Sequence, residues 1–293
     1  MQLIRCWQLP TAMTDTVRTD SLPAANQWAS LGSEKTLMNA RRFSGAVLLT
    51  LTLTVVGLLV LSAAQEGHPP HWAYEGKEGP VEWGNLDSSY AACSVGKTQS
   101  PIDIKGAKKA DLPTLNVSYH AVPLDIIDNG HTIQVSYAPG STLTVGKKLY
   151  TLQQFHFHHP SEEHVNGKDF PLVAHLVHAD AEGHLAVIAV LFELGNANSL
   201  IETLWKTIPA VKEKPHDIPS ISIQAQDLLP NDRSYFTFAG SLTTPPCSEG
   251  VSWYVLNSHP TISPQQLTAF AKIYPMNARP IQPTNGREIL LSK

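Results

Sequence analysis

The chain has 293 residues, and 21 Lys and Arg stand against 25 Asp and Glu, so its formal net charge is -4. Without a basic excess there is little to hold a phosphate backbone, which excludes nucleic acid as an expected partner. A hydrophobic content of 42% argues against wholesale disorder, and 18 Gly and 22 Pro without a period exclude a collagen-like chain. All 13 histidines follow residue 67, which points to metal or proton chemistry in that part.

An apolar stretch, residues 45–64, separates a polar N-terminus from the rest of the chain. The pair Arg41-Arg42 precedes it and Ser62-Ala63-Ala64 closes it, which is the layout of a secretory signal over residues 38–64. The same stretch could instead remain as a membrane anchor. Met38 opens a normal signal-peptide start, so we interpret residues 1–37 as a polar extension from an upstream start codon. Both interpretations predict export to the periplasm or the medium, with membrane contact only if residues 45–64 stay uncleaved.

Residues 65–293 contain no linker or repeat, so we expect a single domain there. Short β-rich segments separated by turn residues dominate it, namely 131–137, 152–158, 172–178, 185–192, 235–238 and 251–256. Two short helices are predicted at 198–206 and 263–272, the second with Ser263 as N-cap and Pro264 at the first helical position. The prediction is a mainly β (α+β) fold with a large central, mostly antiparallel twisted sheet and short peripheral helices.

Two cysteines, Cys93 and Cys247, are the only ones after residue 64. Export places them where disulfides form and persist, so we expect the two to pair. The alternative is a pair of unrelated free thiols.

Alternating aromatic and imidazole side chains mark the segment from Phe155 to His158. In a strand, residues i and i+2 share a face, so His156 and His158 project together while the phenylalanines enter the other layer. Two imidazoles roughly 6–7 Å apart along a strand can reach one ion, although the pair by itself also fits a surface histidine pair or a weak copper site.

A second predicted strand carries His175 and His178, whose i, i+3 spacing places them on opposite faces. At most one of them can therefore join the first pair. A site of three histidines with an open fourth position is typical of catalytic zinc, whereas structural zinc sites are closed by four protein ligands.

Nine short strings of this chain resemble, in order, those of the α-class carbonic anhydrases of the bacterial type. They are His71–Tyr74, Gln99–Asp103, Asn129–His131, Gln154–His158, Ser161–Glu162, His175–His178, Ser241–Pro246, Val251–Trp253 and Asn277–Pro280. The positions of Cys93 and Cys247 also resemble a disulfide of that bacterial branch. The resemblance implies a single catalytic domain over residues 65–293, Zn2+ as cofactor, and carbon dioxide and bicarbonate as substrates.

The resemblance implies reversible hydration of carbon dioxide by attack of a zinc-bound hydroxide. It makes His156 and His158 zinc ligands through Nε2 and His175 a ligand through Nδ1. The catalytic side chains it implies are Glu162 and Thr243, which orient the hydroxide, and His131, which shuttles the proton. For His131, a turn histidine that is merely exposed to solvent is the alternative.

The other matched side chains surround these groups. The apolar substrate wall corresponds to Val177, Val187, Leu242, Val251 and Trp253, with Thr243 and Thr244 at the substrate as well. The apolar members would suit an ordinary core equally well. The water network corresponds to Tyr74, Asn129 and Gln134, and Gln154 matches the hydrogen-bond partner of His156.

One position departs from the family pattern. Val173 stands where the resemblance implies a glutamate that hydrogen-bonds the ligand His175, and losing such a partner typically costs about 10–100-fold in metal affinity or activity. A water, or a carboxylate from elsewhere such as Glu163, could substitute. We expect Val173→Glu to raise zinc retention, and no change would show that Val173 is harmless. Two hypotheses therefore stand side by side: an active enzyme, and a zinc-binding relative that is catalytically impaired.

Overall fold

The structure is a computed structural model that describes residues 70–293. Its strands are β1 (Asp103–Ile104), β2 (Lys108–Ala110), β3 (Leu115–Ser118), β4 (Val122–Asp128), β5 (Ile133–Ser136), β6 (Thr142–Val145), β7 (Lys148–His158), β8 (His164–Val165), β9 (Leu172–Ala179), β10 (Leu185–Leu194), β11 (His216–Ile223), β12 (Tyr235–Ser241), β13 (Glu249–Leu256), β14 (Thr261–Ile262) and β15 (Leu290–Ser292). Its α-helices are α1 (Trp83–Leu86), α2 (Ala92–Val95), α3 (Ser199–Lys206) and α4 (Pro264–Ala271).

The extension at 1–37 and the signal or anchor at 38–64 lie outside the described residues. Within residues 70–293, the helices are all too short or too polar to cross a bilayer.

Thirteen of the described strands form one large sheet, which confirms the predicted mainly β fold. Its main path runs β11-β4-β5-β7-β9-β10-β13-β12-β15-β2, with β6 joining β3 to β7 and β14 pairing with β10. Most neighbours are antiparallel, as predicted, but β13 runs parallel to β10 near the middle of the path and β2 runs parallel to β15. Strands β1 and β8 pair outside this sheet.

Both predicted helices form, and a capping side chain marks the start of each. Asn198 caps α3 by accepting the Ile201 N–H, and Ser263 caps α4 by accepting the Gln266 N–H. The Gln266 side chain returns a hydrogen bond to the Ser263 backbone, which completes a capping box ahead of the helix. The four-residue helices α1 and α2 are too short to leave a periodic signal and were not predicted.

The two faces of the sheet carry separate apolar clusters. Phe155 and Phe157 of β7 lie in the larger cluster, together with Leu176 of β9. Val173 of β9 and Trp253 of β13 lie in the smaller cluster on the other face. The strand period of two therefore places the phenylalanines away from their neighbouring histidines, as predicted.

A disulfide links Cys93 of α2 to Cys247, with 5.0 Å between their Cα atoms, which confirms the expected pair. Both cysteines are buried beside the side chains of Trp83 and Tyr90. The bridge ties the segment after β12 to the N-terminal helices, and that segment carries Thr243.

Candidate active site

Three histidines converge on one face of the sheet. His156 of β7 is paired in register with His175 of β9, and His158 lies two residues further along β7. One ring nitrogen from each residue lies within 4.8 Å of those of the other two. The facing nitrogens are close enough to bind one ion, and His178 of β9 points to the opposite face as predicted.

In each of these histidines the other ring nitrogen is held by an acceptor. His156 Nδ1 lies 2.8 Å from the Gln154 side-chain oxygen, and His158 Nδ1 lies 2.7 Å from the backbone carbonyl of Asn277. His175 Nε2 lies 3.1 Å from Glu163 Oε2. Since these acceptors require an N–H, lone pairs remain on Nε2 of His156, Nε2 of His158 and Nδ1 of His175.

The ring nitrogens of the three histidines have the chemistry that a metal ion requires. His158 Nε2 is buried and has no hydrogen-bond partner among the described residues. Burial, and then repulsion from His175, lowers the pKa of His156 to about 3 and that of His158 well below its usual value. Both rings are therefore neutral near pH 7, which is the form in which an imidazole binds zinc.

The ring of His175 is under a different influence. Burial by itself would lower its pKa, but the carboxylates of Glu163 and Glu162 outweigh burial and raise the pKa above its ordinary value. A negative charge behind the ring also increases its basicity as a metal ligand.

Glu162 lies beside the histidines with its carboxylate fully enclosed. Its Oε2 is 3.5 Å from His158 Nε2 and 3.8 Å from His175 Nδ1, and its Oε1 accepts the backbone N–H of Arg279 at 2.8 Å. Burial raises the pKa of Glu162 to about 7, although His175, the Arg279 amide and the Thr243 hydroxyl each act to lower it. Thr243 is thus adjacent to Glu162, although no hydrogen bond reaches Oε2 within the described part of the chain.

The segment that carries Thr243 is held from several sides. Ser100 and Ser241 exchange hydrogen bonds, with the Ser100 N–H 2.9 Å from Ser241 Oγ and the Ser241 N–H 3.2 Å from Ser100 Oγ. Gln99 donates to the Cys247 carbonyl at 3.0 Å. A Cβ at Gly240 would collide with the Ser100 side chain and the Trp253 ring, so only glycine allows this approach.

The apolar wall expected for the substrate forms on the same face. Val177, Val187 and Trp253 lie opposite one another in register across β9, β10 and β13. Val251 joins them in the cluster, and Leu242 packs against it. The Trp253 ring lies 5.0 Å from the His175 ring, so this wall borders the histidine cluster. Thr244 is half-buried on the same segment as Thr243.

His131 occupies a turn between β4 and β5. Asn129 shapes this turn, because its side-chain oxygen accepts the N–H groups of His131 and Thr132 at 3.0 and 2.9 Å. The His131 ring is half-buried and stacks on Trp72 with 3.7 Å between ring centroids. Gln134 lies opposite His156 in the β5–β7 register, 3.4 Å from the Asn129 side-chain nitrogen.

Tyr74, the other member of the expected water network, is half-buried near Trp72, with 5.3 Å between the rings. Burial, and then the Glu162 and Tyr274 side chains, raise the pKa of Tyr74 well above its ordinary value. Its hydroxyl therefore stays protonated and can donate a hydrogen bond at neutral pH.

Two residues, Asn277 and Glu163, have roles that only the structure reveals or decides. The carbonyl of Asn277 holds His158, and its side-chain nitrogen donates to the carbonyls of His131 and Phe157, each at 3.0 Å. No sequence pattern marks a backbone carbonyl as a partner, so only the structure reveals this contact. Glu163 was one candidate partner of His175, and the structure selects it. Together these features define a cluster of three histidines, on one face of a large β-sheet, that could hold a metal ion.

Comparison with known proteins agrees with this class. A family model described as eukaryotic-type carbonic anhydrase matches residues 78–293. A carbonic anhydrase of Pectobacterium carotovorum is 45% identical over 235 residues, 80% of this chain and 96% of that protein. A carbonic anhydrase of Neisseria gonorrhoeae is 43% identical over 248 residues, 81% of this chain and 96% of that protein.

A solved structure shows the same likeness in three dimensions. It is a hyperthermostable carbonic anhydrase from an active hydrothermal vent chimney, with a TM-score of 0.74 and 44% identity. The alignment covers 76% of this chain and 100% of that one. The chain therefore belongs to the α-class carbonic anhydrase family.

Proposed function

We propose that this enzyme interconverts carbon dioxide and bicarbonate with a Zn2+ ion held by His156 Nε2, His158 Nε2 and His175 Nδ1. The observation that carries the proposal is the convergence of these three nitrogens within 4.8 Å while the opposite nitrogen of each ring is hydrogen-bonded. Zinc bound to neutral ligands supplies a Lewis acid that makes water nucleophilic near pH 7.

The side chains around the three histidines would orient the reacting groups and keep other water away from them. The Thr243 hydroxyl, next to Glu162, would donate a hydrogen bond to the carboxylate and accept one from the attacking oxygen. The Thr243 backbone N–H would hold a substrate oxygen. Carbon dioxide carries no charge, so the apolar wall of Val177, Val187 and Trp253 suits it better than a polar pocket would.

One proton must leave the site in each turnover. His131 is the proposed acceptor, because an imidazole titrates near neutral pH and this ring lies at a half-buried turn with access to solvent. Tyr74, Asn129 and Gln134 would order the water between the site and His131.

Stopped-flow hydration of carbon dioxide tests the proposal directly, with zinc content measured on the same sample of residues 65–293. The expected result is one zinc per chain and hydration that disappears after chelation and returns with zinc. A zinc-loaded protein without hydration would favour the impaired relative instead. That alternative depended on a missing partner for His175, and Glu163 supplies the partner.

We further propose that the enzyme is exported to the periplasm or the medium, with residues 38–64 as its signal. The disulfide between Cys93 and Cys247 supports this, since such bonds persist in oxidising compartments. Cell fractionation and N-terminal sequencing test it: a mature N-terminus near residue 65 supports cleavage, an intact 45–64 segment in the membrane supports an anchor, and a cytoplasmic full-length chain refutes export.

A further inference from the structure

The ring of His175 lies between two consecutive glutamates. Glu162 Oε2 is 3.8 Å from Nδ1, the nitrogen that faces the other two histidines, and Glu163 Oε2 is 3.1 Å from Nε2 on the other side. Both carboxylates and the ring are enclosed, with at most 1% of each side chain exposed. A neutral imidazole carries one N–H, and a carboxylate beside Nε2 holds it there. Glu163 therefore selects the tautomer in which Nδ1 is free to bind a metal.

Position 173 has no part in this contact. Val173 is two residues before His175 on β9, so their side chains share a face, but the valine is fully buried in the apolar cluster with Phe170. A valine side chain can neither donate nor accept a hydrogen bond. The acidic partner of His175 comes instead from the connection between β7 and β9.

That connection holds Glu163 in place from both sides. The Ser161 hydroxyl donates to the Glu163 carbonyl at 2.8 Å, and the Phe170 N–H donates to the same hydroxyl at 2.9 Å. On the other side, the His164 N–H donates to the Ile102 carbonyl at 3.2 Å, where β8 pairs with β1. These hydrogen bonds fix the backbone on both sides of Glu163.

A buried carboxylate at this place is unfavourable for folding by itself. Among residues 70–293, His175 is the single hydrogen-bond partner of the Glu163 carboxylate, and Oε1 has none. Burying a charge with so few partners destabilises a protein unless a positive charge compensates. A divalent ion on the far side of the His175 ring would provide that compensation.

We propose that Glu163 is a positioning residue for the metal ligand His175, and that it supplies from the loop before β9 the acidic partner that Val173 on β9 cannot provide. This inference rests on the proposed zinc site. It reverses the expectation for Val173→Glu, because His175 has only one N–H and Glu163 already accepts it. A second buried carboxylate there would be unpaired and would repel the first.

The test measures the zinc dissociation constant of the full 65–293 domain by competition with a chelator. Glu163→Leu should raise that constant by about 10–100-fold, and Glu163→Gln, which keeps an acceptor oxygen, should raise it less. Val173→Glu alone should not tighten zinc binding. The double variant Glu163→Leu, Val173→Glu returns a carboxylate to β9 and should recover most of the lost affinity, which a purely structural role for Glu163 does not predict.

Glu202→Leu on the exposed side of α3 is the matched control and should bind zinc like the parent chain. The visible spectrum of the Co2+-loaded protein gives a second readout, expected to change in Glu163→Leu and not in Glu202→Leu. Should Glu163→Leu fail to fold, Glu163→Gln and the double variant still decide. If Glu163→Leu folds, zinc binding equal to that of the unaltered chain overturns the proposal. If it does not fold, zinc binding by Glu163→Gln equal to that of the unaltered chain overturns it. A parent chain that binds no zinc overturns the proposed function as well.

Discussion

Acid should destabilise the folded enzyme through one buried histidine on the sheet face opposite to the metal cluster. His178 of β9 is fully buried, with Nδ1 3.2 Å from the Ala186 carbonyl and Nε2 2.7 Å from the Tyr119 hydroxyl. A carbonyl can only accept, so Nδ1 carries the proton and Nε2 accepts from the tyrosine. The neutral ring thus has both nitrogens hydrogen-bonded. A second proton, on Nε2, would break the hydrogen bond that the Tyr119 hydroxyl donates to that nitrogen.

The size of the effect follows from the pKa of His178. Burial, only partly opposed by the carbonyls of Ala186 and Leu176, lowers that pKa from 6.5 to about 4. A gap of about 2.5 pH units at about 1.4 kcal/mol per unit gives about 3.5 kcal/mol. Because the folded pKa is depressed, this stability is fully present above about pH 6.5 and is lost as the pH falls toward 4.

The assay is urea unfolding of the metal-free protein at about pH 7 and about pH 4.5, which removes the separate effect of zinc release. Between these two values the parent should lose about 2 kcal/mol more of its unfolding free energy than His178→Gln does. His216→Gln, at an exposed position of β11, is the control and should follow the parent. Equal pH dependences for the parent and His178→Gln would refute the reasoning.

Three further variants test the site. His131→Ala should lower turnover mainly at low buffer concentration, and added imidazole should restore it. Burial and then His71 lower the pKa of His131, so the shuttle of the parent should titrate below about pH 6.5. Unchanged turnover at low buffer concentration would remove His131 from this role. Thr243→Val should reduce kcat/KM for hydration roughly 100-fold, because it deletes a preorganised hydroxyl. Its zinc content should stay constant. A loss under threefold in stopped-flow assays would contradict this. The double variant Cys93→Ser, Cys247→Ser should lose about 2–5 kcal/mol of unfolding free energy, measured by denaturation. It should also loosen the Thr243 segment, measured as slower hydration on the same sample. Unchanged stability would show that the bridge contributes little.

Local geometry made several features predictable from the sequence. Adjacent strand residues point to opposite faces, so His156 and His158 had to share a face and Phe155 and Phe157 the other. Capping chemistry likewise marked the start of α4 at Ser263. The strand predicted to begin at residue 131 begins instead at Ile133, because the Asn129 side chain holds the preceding turn.

The role of His131 and the segments before residue 65 remain predictions. The resemblance implied the ligand set, but whether the three nitrogens meet depended on long-range pairing. The sequence alone left both His175 and His178 available, and the antiparallel register of β7 and β9 places His175 opposite His156. A slip of one residue would have turned the other face toward the cluster.

The partners that hold the histidine rings were the least predictable part. The Asn277 carbonyl reaches His158 from 119 residues further along the chain, and any residue type offers a carbonyl. Glu163 reaches His175 because of the path taken by the loop between β7 and β9. The sequence alone determined the donor types and the face of each strand, since these follow from side-chain chemistry and the strand period. Only the tertiary structure decided which acceptor stands behind each ring, because hydrogen bonds between distant segments depend on how the whole chain packs.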